Sequence, residues 1–193
     1  MMSCDVVIVG AGPAGLAAAI AARRAGLSIA VIEKVALVNS LLHYPTDMVF
    51  FTTPELLEIG GFPFVSPYEK PTRQEALRYY RRVTDACQLE IAFDTDVTGL
   101  ARRPDGVFVV TSTGAQVAAR EWHGRAVVIA TGAYDVPNLL GIPGEDLPHV
   151  AVVELIRRGD VDDGDPVVVE QVVEGRVGGP DAELSGAGGA ALG

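Results

Sequence analysis

The chain has 193 residues, of which 49% are hydrophobic, 21% charged and 6% aromatic, and its formal net charge is −10. This length and composition predict one well-buried soluble domain with little chain left for a second, and they exclude disordered, collagen-like and membrane-spanning classes. The acidic balance also disfavours nucleic acid as a partner, because phosphate binding needs clustered lysine and arginine.

The cysteine and histidine residues give no sign of a disulfide framework or a metal site. Cys4 and Cys87 lie far apart and form no C-x-x-C pair. We therefore expect two reduced thiols that serve in packing, and a cytoplasmic protein. The apolar stretch 6–22 is interrupted by glycines and a proline, so it predicts neither a leader peptide nor a membrane span. The three histidines fit no metal-ligand spacing: His43, His123 and His149.

The amino-terminal residues predict a βαβ unit. Asp5–Val9 is a β-branched apolar run, typical of a central parallel strand, and the sequence Gly10-Ala-Gly-Pro-Ala-Gly15 follows at once. Leu16–Ala25 is expected to form a helix that ends at Gly26. Ser28–Glu33 then predicts a second buried strand.

The remaining pattern predicts a helix and more sheet. Residues 38–71 have no sustained period and indicate a long shaped loop. Thr72–Ala86 predicts a helix, with Thr72 and Glu75 spaced as a capping box. The fold class is therefore α/β, a Rossmann-like domain with a parallel sheet plus a three-stranded antiparallel β-meander. The meander and the buried strand that follows it are expected at Glu90–Leu100, Val107–Ser112, Gln116–Ala119 and Arg125–Gly132.

The glycine motif between the first strand and the first helix indicates a dinucleotide site. Gly10 is expected to make the turn, Gly12 to let a pyrophosphate approach the backbone, and Gly15 to let helix and strand pack closely. The diphosphate would meet the positive end of the helix dipole. Glu33, 18 residues beyond Gly15, is placed to accept hydrogen bonds from ribose hydroxyls. An acidic side chain there favours the adenosine of FAD or NAD over that of NADP.

The chain resembles the thioredoxin-reductase-type flavoproteins, through G-A-G-P-A-G, Glu33 and the A-T-G that ends at Gly132. More specifically it resembles the YpdA-type family, which is associated with bacillithiol disulfide reduction. This closer resemblance covers about residues 4–150. It rests on the predicted loop sequences at 38–53 and 57–64, the predicted helix sequence at 69–80 and the segment 131–150.

The resemblance implies FAD as the cofactor, NADPH or NADH as the electron donor on a second Rossmann domain, and a small disulfide, such as that of a low-molecular-weight thiol, as the electron acceptor. It also implies a set of cofactor-binding residues in three groups. The ADP half would be lined by Gly10, Gly12, Pro13, Ala14, Gly15, Glu33 and Lys34, with backbone contacts from Val97 to adenine. The flavin would pass Asn39, Ser40, Tyr44, Pro45 and Met48, and the site would be closed by Ala130, Thr131 and Gly132.

Two departures from that family bear on activity. Many relatives have a cysteine, a proposed redox thiol, where this chain has Ala14, so a protein dithiol relay is not expected and no catalytic residue is assigned. The second concerns the nicotinamide site. The sequence Pro166–Val173 is typical of a strand, but Glu170 and Gln171 stand where the glycines of a second dinucleotide fingerprint belong.

These observations predict two regions of different kind. Residues 1–150 form the FAD-binding domain with net charge −4, and residues 151–193 are a remnant of the NAD(P)-binding domain with net charge −6. Within the remnant, residues 175–193 contain 11 glycines and alanines in 19 positions and are expected to be a disordered tail. A frameshift or a truncated reading frame after about residue 170 is one hypothesis for this change, testable by resequencing.

Several alternatives stay open. The chain is interpreted as an NAD(P)H-dependent flavin oxidoreductase represented mainly by its FAD-binding part, or as a non-catalytic nucleotide-binding module or inactive fragment. A small NAD dehydrogenase is a third interpretation, disfavoured by the aromatic and proline-rich text after Glu33. The physiological electron acceptor and the choice between NADPH and NADH are not determined by the sequence. The oligomeric state is open too, with a homo-oligomer among the alternatives.

Overall fold

The computed structural model describes residues 2–114, 117–133 and 141–143. The described elements alternate at first and then become purely β. In chain order they are β1 (Met2–Val9), α1 (Pro13–Arg24), β2 (Ile29–Ile32), α2 (Asn39–His43), a 3₁₀ turn (Pro54–Leu57), α3 (Arg73–Ala86), β3 (Ile91–Ala92), β4 (Thr95–Arg102), β5 (Phe108–Gly114) and β6 (Val117–Ile129).

Within the described residues the strands form one six-stranded sheet in the order β3-β2-β1-β6-β5-β4. β1 pairs in parallel with β2 on one side and with β6 on the other, and β3 extends the parallel part beyond β2. β4, β5 and the first half of β6 form an antiparallel meander. The prediction of a Rossmann-like parallel sheet with a three-stranded meander is confirmed.

One boundary predicted from the sequence is wrong, because Gln116–Ala119 and Arg125–Gly132 do not belong to two strands. A single strand, β6, runs from Val117 to Ile129. It pairs antiparallel with β5 up to Gly124 and in parallel with β1 from Trp122 onward. The meander and the parallel sheet are therefore continuous through β6.

The predicted strand Glu90–Leu100 is also wrong as a single element. It is split into β3 and β4 by a turn at Asp94, which has a φ of 50°. β3 joins the parallel sheet beside β2, whereas β4 joins the meander. The predicted long loop 38–71 has local structure as well, since it contains α2 and the 3₁₀ turn.

Two hydrophobic clusters cover the two faces of the parallel strands. On one face α1 and α3 pack against β1 and β2, with Ile8, Leu16 and Tyr80 almost completely buried. On the other face Val7 and Ile32 pack against Trp122 of the meander. The indole Nε1–H of Trp122 donates to the Ser112 hydroxyl at 2.8 Å, so the polar atom of this buried ring is satisfied. Cys87 packs against the first cluster and Cys4 against the second, as expected for packing thiols.

The start of α3 is as predicted. The Thr72 hydroxyl accepts from the backbone N–H of Glu75, and the Glu75 carboxylate accepts from the backbone N–H of Thr72 at 2.8 Å. Further along α3, the Tyr79 hydroxyl contacts the backbone of Ile59 and Phe62, and the Tyr80 hydroxyl donates to the Leu57 carbonyl oxygen. The helix therefore holds the irregular segment that precedes it.

The chain divides into two units, residues 1–136 and 137–193, and only residues 141–143 of the second are described. The predicted domain boundary near residue 150, the strand at 166–173 and the tail at 175–193 lie outside the described residues. Among the described residues, no helix has the length and apolar character needed to cross a bilayer.

Candidate functional site

The site lies at the carboxyl ends of β1, β2 and β6, where β1 separates two strands that follow it in the chain. After β1 the chain leads to β2 on one side, and β6 lies on the other. Loops that leave in opposite directions open a crevice at this point of a parallel sheet, which is where such folds bind ligands. The glycine motif lies in this crevice, directly after Val9.

Gly10 makes the turn that its position predicts. Its φ is 105°, a left-handed conformation that glycine adopts without steric cost, and its N–H donates to the Ile32 carbonyl oxygen at 2.8 Å. A Cβ at this position would lie 2.2 Å from the carbonyl oxygen of Ala130. The turn after β1 is therefore pressed against the end of β6, and a side chain there would force them apart.

Gly12 and Gly15 differ in what surrounds them. A Cβ at Gly15 would lie 2.0 Å from the Gly10 carbonyl oxygen, so close packing of α1 on the turn requires glycine. A Cβ at Gly12 would meet no atom within 4 Å. Gly12 is also the N-cap of α1, and no side-chain hydrogen bond caps it. The space in front of the helix start is therefore open, and the dipole and amides of α1 face it.

The Glu33 side chain points at the glycine turn. It is only 7% exposed, and its Oε2 accepts from the Ala11 N–H at 2.7 Å while its Oε1 accepts from the Val35 N–H at 3.1 Å. The Ala11 carbonyl oxygen in turn accepts from the Val38 N–H at 3.1 Å. A carboxylate offers about four lone-pair positions, so Glu33 can hold the turn and still accept hydrogen bonds from a ligand.

The segment after Glu33 returns to the same crevice. Val38 is buried and has a φ of 48°, which is unusual for a β-branched residue, and α2 starts immediately after it. The Ser40 hydroxyl oxygen lies 3.8 Å from the position that a Cβ on Gly132 would take. The glycine turn, the start of α2 and the end of β6 therefore converge, and this brings Ser40 close to Gly132.

A cavity of about 340 Å³ lies beside the start of α1. Most of its lining is apolar. Pro13 and Ala14 form part of one wall, and the rings of Tyr44 and Phe50, 6.4 Å apart, lie among the other lining residues. Tyr44 is one of the residues predicted to lie along the flavin. The other lining residues were not predicted, because they come from separate segments without a shared motif: Ala17, Leu41, Leu56, Leu57, Glu58, Ile59 and Tyr80.

The remaining predicted site residues belong to several separate segments of the chain, and their local surroundings differ. The Met48 N–H donates to the Pro45 carbonyl oxygen at 3.1 Å, which forms a tight turn after α2. Val97 lies in β4 and packs against the second hydrophobic cluster. Its strand starts beside Glu33, because the Thr95 N–H donates to the Glu33 carbonyl oxygen at 3.1 Å. Three further predicted residues are at or near the surface: Lys34, Asn39 and Thr131.

No group of three or more histidine, cysteine or acidic side chains that could hold a metal ion occurs among the described residues. Both cysteines are free thiols, and burial raises the pKa of the Cys4 thiol. Cys4 is therefore a weak nucleophile, which agrees with a packing role.

The fold and this crevice define a nucleotide-binding unit of the Rossmann type, and comparison with known proteins gives the family. Residues 7–169 match the family profile described as pyridine nucleotide-disulphide oxidoreductase. The chain belongs to the pyridine nucleotide-disulphide oxidoreductase family.

Individual relatives agree with the resemblance inferred from the loop motifs, which is thereby confirmed. The chain is 38% identical over 150 residues to bacilliredoxin reductase Bdr of Bacillus subtilis (strain 168), which covers 78% of this chain and 45% of the relative. It is 35% identical over 147 residues to thioredoxin reductase of Treponema pallidum, covering 73% and 38%. The solved structure of bacillithiol disulfide reductase Bdr (YpdA) from Bacillus cereus superimposes with a TM-score of 0.71 at 37% identity, covering 78% of this chain and 46% of that one. The chain thus spans under half the length of these relatives.

Proposed function

We propose that the crevice at the carboxyl ends of β1, β2 and β6 binds FAD, and that the chain is the FAD-binding part of an oxidoreductase that passes electrons from NAD(P)H to a small disulfide. One observation carries the proposal: the Glu33 carboxylate is fixed on the Ala11 N–H at 2.7 Å while the space beside Gly12 is open. This pairs a ribose acceptor with room for a diphosphate. The relatives named Bdr and thioredoxin reductase support the proposed reaction class.

The residues of the crevice fit the parts of FAD. Gly10, Gly12, Pro13, Ala14 and Gly15 would hold the diphosphate against the first turn of α1, where backbone amides and the helix dipole favour an anion. Glu33 would accept from the ribose, with Lys34 and the backbone of Val97 beside the adenosine. The flavin would extend along Asn39, Ser40, Tyr44, Pro45 and Met48, and Ala130, Thr131 and Gly132 would close the site.

Bound FAD would supply the two-electron carrier for the net reaction NAD(P)H + H⁺ + RSSR → NAD(P)⁺ + 2 RSH. This chain's residues would bind and orient it. Ala14 occupies the position of the proposed redox cysteine in relatives, and the Cys4 thiol has a pKa raised by burial. We therefore assign no protein thiol to the electron transfer, and catalytic residues stay unassigned.

A non-catalytic nucleotide-binding module is the second candidate, favoured by the Glu170 and Gln171 side chains at the positions of a nicotinamide-binding glycine fingerprint. The oxidoreductase proposal includes four further properties. They are NADPH or NADH as the electron donor, a small disulfide as the partner, a homo-oligomeric assembly and a cytoplasmic location.

Visible absorption of the purified chain after incubation with FAD and removal of free cofactor separates these candidates. We expect retained flavin bands, because the site holds both the sugar and the diphosphate. Anaerobic addition of NADPH or NADH, followed by a small disulfide, then tests electron transfer. Bleaching and reoxidation support the oxidoreductase, and retained flavin without bleaching supports the non-catalytic module. A chain that retains no flavin contradicts the assignment of FAD to this crevice.

A further inference from the structure

Arg73, the first residue of α3, connects that helix to α2. Its Nε donates to the Leu41 carbonyl oxygen and its Nη2 to the Leu42 carbonyl oxygen, each at 2.7 Å. Carbonyls in the last turn of a helix lack intrahelical partners, and a cation there also interacts favourably with the helix dipole. The planar guanidinium fork suits two adjacent acceptors in a way that a lysine ammonium does not.

The backbone around Arg73 ties down the other end of the same segment. The Arg73 N–H donates to the Met48 carbonyl oxygen and the Phe50 N–H donates to the Pro71 carbonyl oxygen, each at 2.9 Å. Val49 and Thr72 form an isolated antiparallel bridge between these two bonds. Residues 41–50 are therefore attached to residues 71–73 at both ends, by the Arg73 side chain at one end and by the backbone at the other.

This attachment determines where α2 lies. A five-residue helix is too short to be stable in isolation, so its position depends on its contacts. At its start, Val38 is held in a left-handed conformation by its burial and by the bond from its N–H to the Ala11 carbonyl oxygen. At its end, the side chain of Arg73 holds it. Between these two points, Ser40 lies beside Gly132 in the crevice.

We propose that Arg73 is a positioning residue that keeps α2 against the glycine turn, and that it thereby controls affinity for the flavin part of the cofactor without affecting the ADP part. The inference rests on the proposed function. The ADP part is held by the glycine turn and Glu33, none of which contacts Arg73 in its described hydrogen bonds. Binding of FAD and of ADP should therefore respond differently to loss of the guanidinium.

The test compares R73M and R73K with R23M as a matched control. Arg23 also donates to two backbone carbonyls at a helix end, Cys87 at 2.7 Å and Gln88 at 2.9 Å, but these lie at the carboxyl end of α3, whereas Arg73 is its first residue. Titrations with FAD and with ADP give the two dissociation constants of each chain. Hydrogen–deuterium exchange of the unliganded chains reports on amides in residues 38–50 without any cofactor.

We expect R73M to bind FAD about tenfold more weakly and to exchange amides in residues 38–50 at least about tenfold faster, with ADP affinity within about twofold of the unsubstituted chain. R73K should give intermediate FAD affinity and intermediate exchange. R23M should change neither the ratio of the FAD and ADP dissociation constants nor amide exchange in residues 38–50. Equal losses of FAD and ADP affinity, or unchanged exchange and an unchanged ratio, would overturn the inference. If R73M does not fold, R73K decides by the same measurements. An unsubstituted chain that binds neither nucleotide contradicts the proposed function, and the exchange data still decide whether Arg73 holds α2.

Discussion

Glycine is required for different physical reasons at Gly12, the N-cap of α1, and at Gly15 inside that helix. Gly12 has an extended backbone, with φ −75° and ψ 178°, which any residue can adopt, and a Cβ there would meet no protein atom within 4 Å. Gly15 has no such freedom, because its Cβ would lie 2.0 Å from the Gly10 carbonyl oxygen. A methyl group at Gly12 would therefore interfere with ligand binding, whereas a methyl group at Gly15 would clash with the backbone and destabilise the fold.

Gly12→Ala is expected to lower the free energy of unfolding by no more than about 1 kcal/mol, since alanine is only a poorer N-cap. It should weaken FAD binding at least about tenfold, because the methyl group occupies the space of the diphosphate. Gly15→Ala, as the contrasting variant, should cost about 1–3 kcal/mol of stability through overpacking. Urea unfolding and FAD titration check both, and a Gly12→Ala chain that binds FAD normally contradicts this assignment.

Among the elements, α3 is the one whose start the sequence predicted most closely, because its signal is local. Thr72 and Glu75 supply both bonds of the capping box. Glu75 also accepts from the Ser66 hydroxyl at 3.0 Å. The Thr72 backbone N–H is the main cause of a lowered Glu75 pKa, with the Thr72 and Ser66 hydroxyls contributing in the same direction. The charged form of Glu75 therefore stabilises the folded chain.

We expect Glu75→Gln to lower the free energy of unfolding by about 0.5–1 kcal/mol at neutral pH, at the low end for caps because the carboxylate is screened by solvent. A lowered folded pKa gives stability that is complete above the ordinary glutamate range and lost as pH falls through the folded value. The difference between the two chains should shrink accordingly in denaturant titrations run from neutral pH to below pH ~4. A gap that stays constant over this range would contradict the role of the charge.

The strands were harder to predict, and β6 shows why. Its first half pairs with β5 and contains the exposed residues Arg120 and Glu121, whereas its second half pairs with β1 and contains the apolar run at residues 126–129. Two different sequence patterns within β6 led to the prediction of two strands. The change of pairing partner near Trp122 depends on long-range contacts, which the local sequence does not encode. β3 was merged with β4 in the predicted strand Glu90–Leu100, because only two of its residues pair with β2 and this pairing is long-range.

In the candidate site too, features with a local sequence signal could be predicted, and features set by long-range contacts could not. The glycine turn and Glu33 could be predicted because each residue type has a local steric or chemical duty. The role of Arg73 could not, since its acceptors are backbone carbonyls 31 and 32 residues away, and backbone acceptors leave no mark on the sequence. The bond from the Ala11 N–H to Glu33 was also beyond the motif, which assigns the carboxylate to a ligand alone.

In the molecule as a whole, one crevice in one mixed sheet brings the proposed site residues together. β1 lies between β2 and β6, so the segments that leave these three strands meet at their carboxyl ends. The chain spans under half the length of the relatives compared with it, so electron transfer by the whole protein is a proposal. The proposed nucleotide site can be tested on this chain, because the glycine turn and Glu33 are both among the described residues. The property to measure is therefore the affinity of this crevice for different nucleotides.

Calorimetric titration of the chain with ADP and with ADP that carries an additional 2′-phosphate measures which nucleotide the crevice prefers. In the proposed site the buried Glu33 carboxylate would accept from ribose hydroxyls and would repel a phosphate, so we predict that ADP binds about tenfold more tightly and that Glu33→Gln narrows this preference. Equal affinity for the two nucleotides, or a preference that Glu33→Gln leaves unchanged, would contradict the placement of the adenosine beside Glu33.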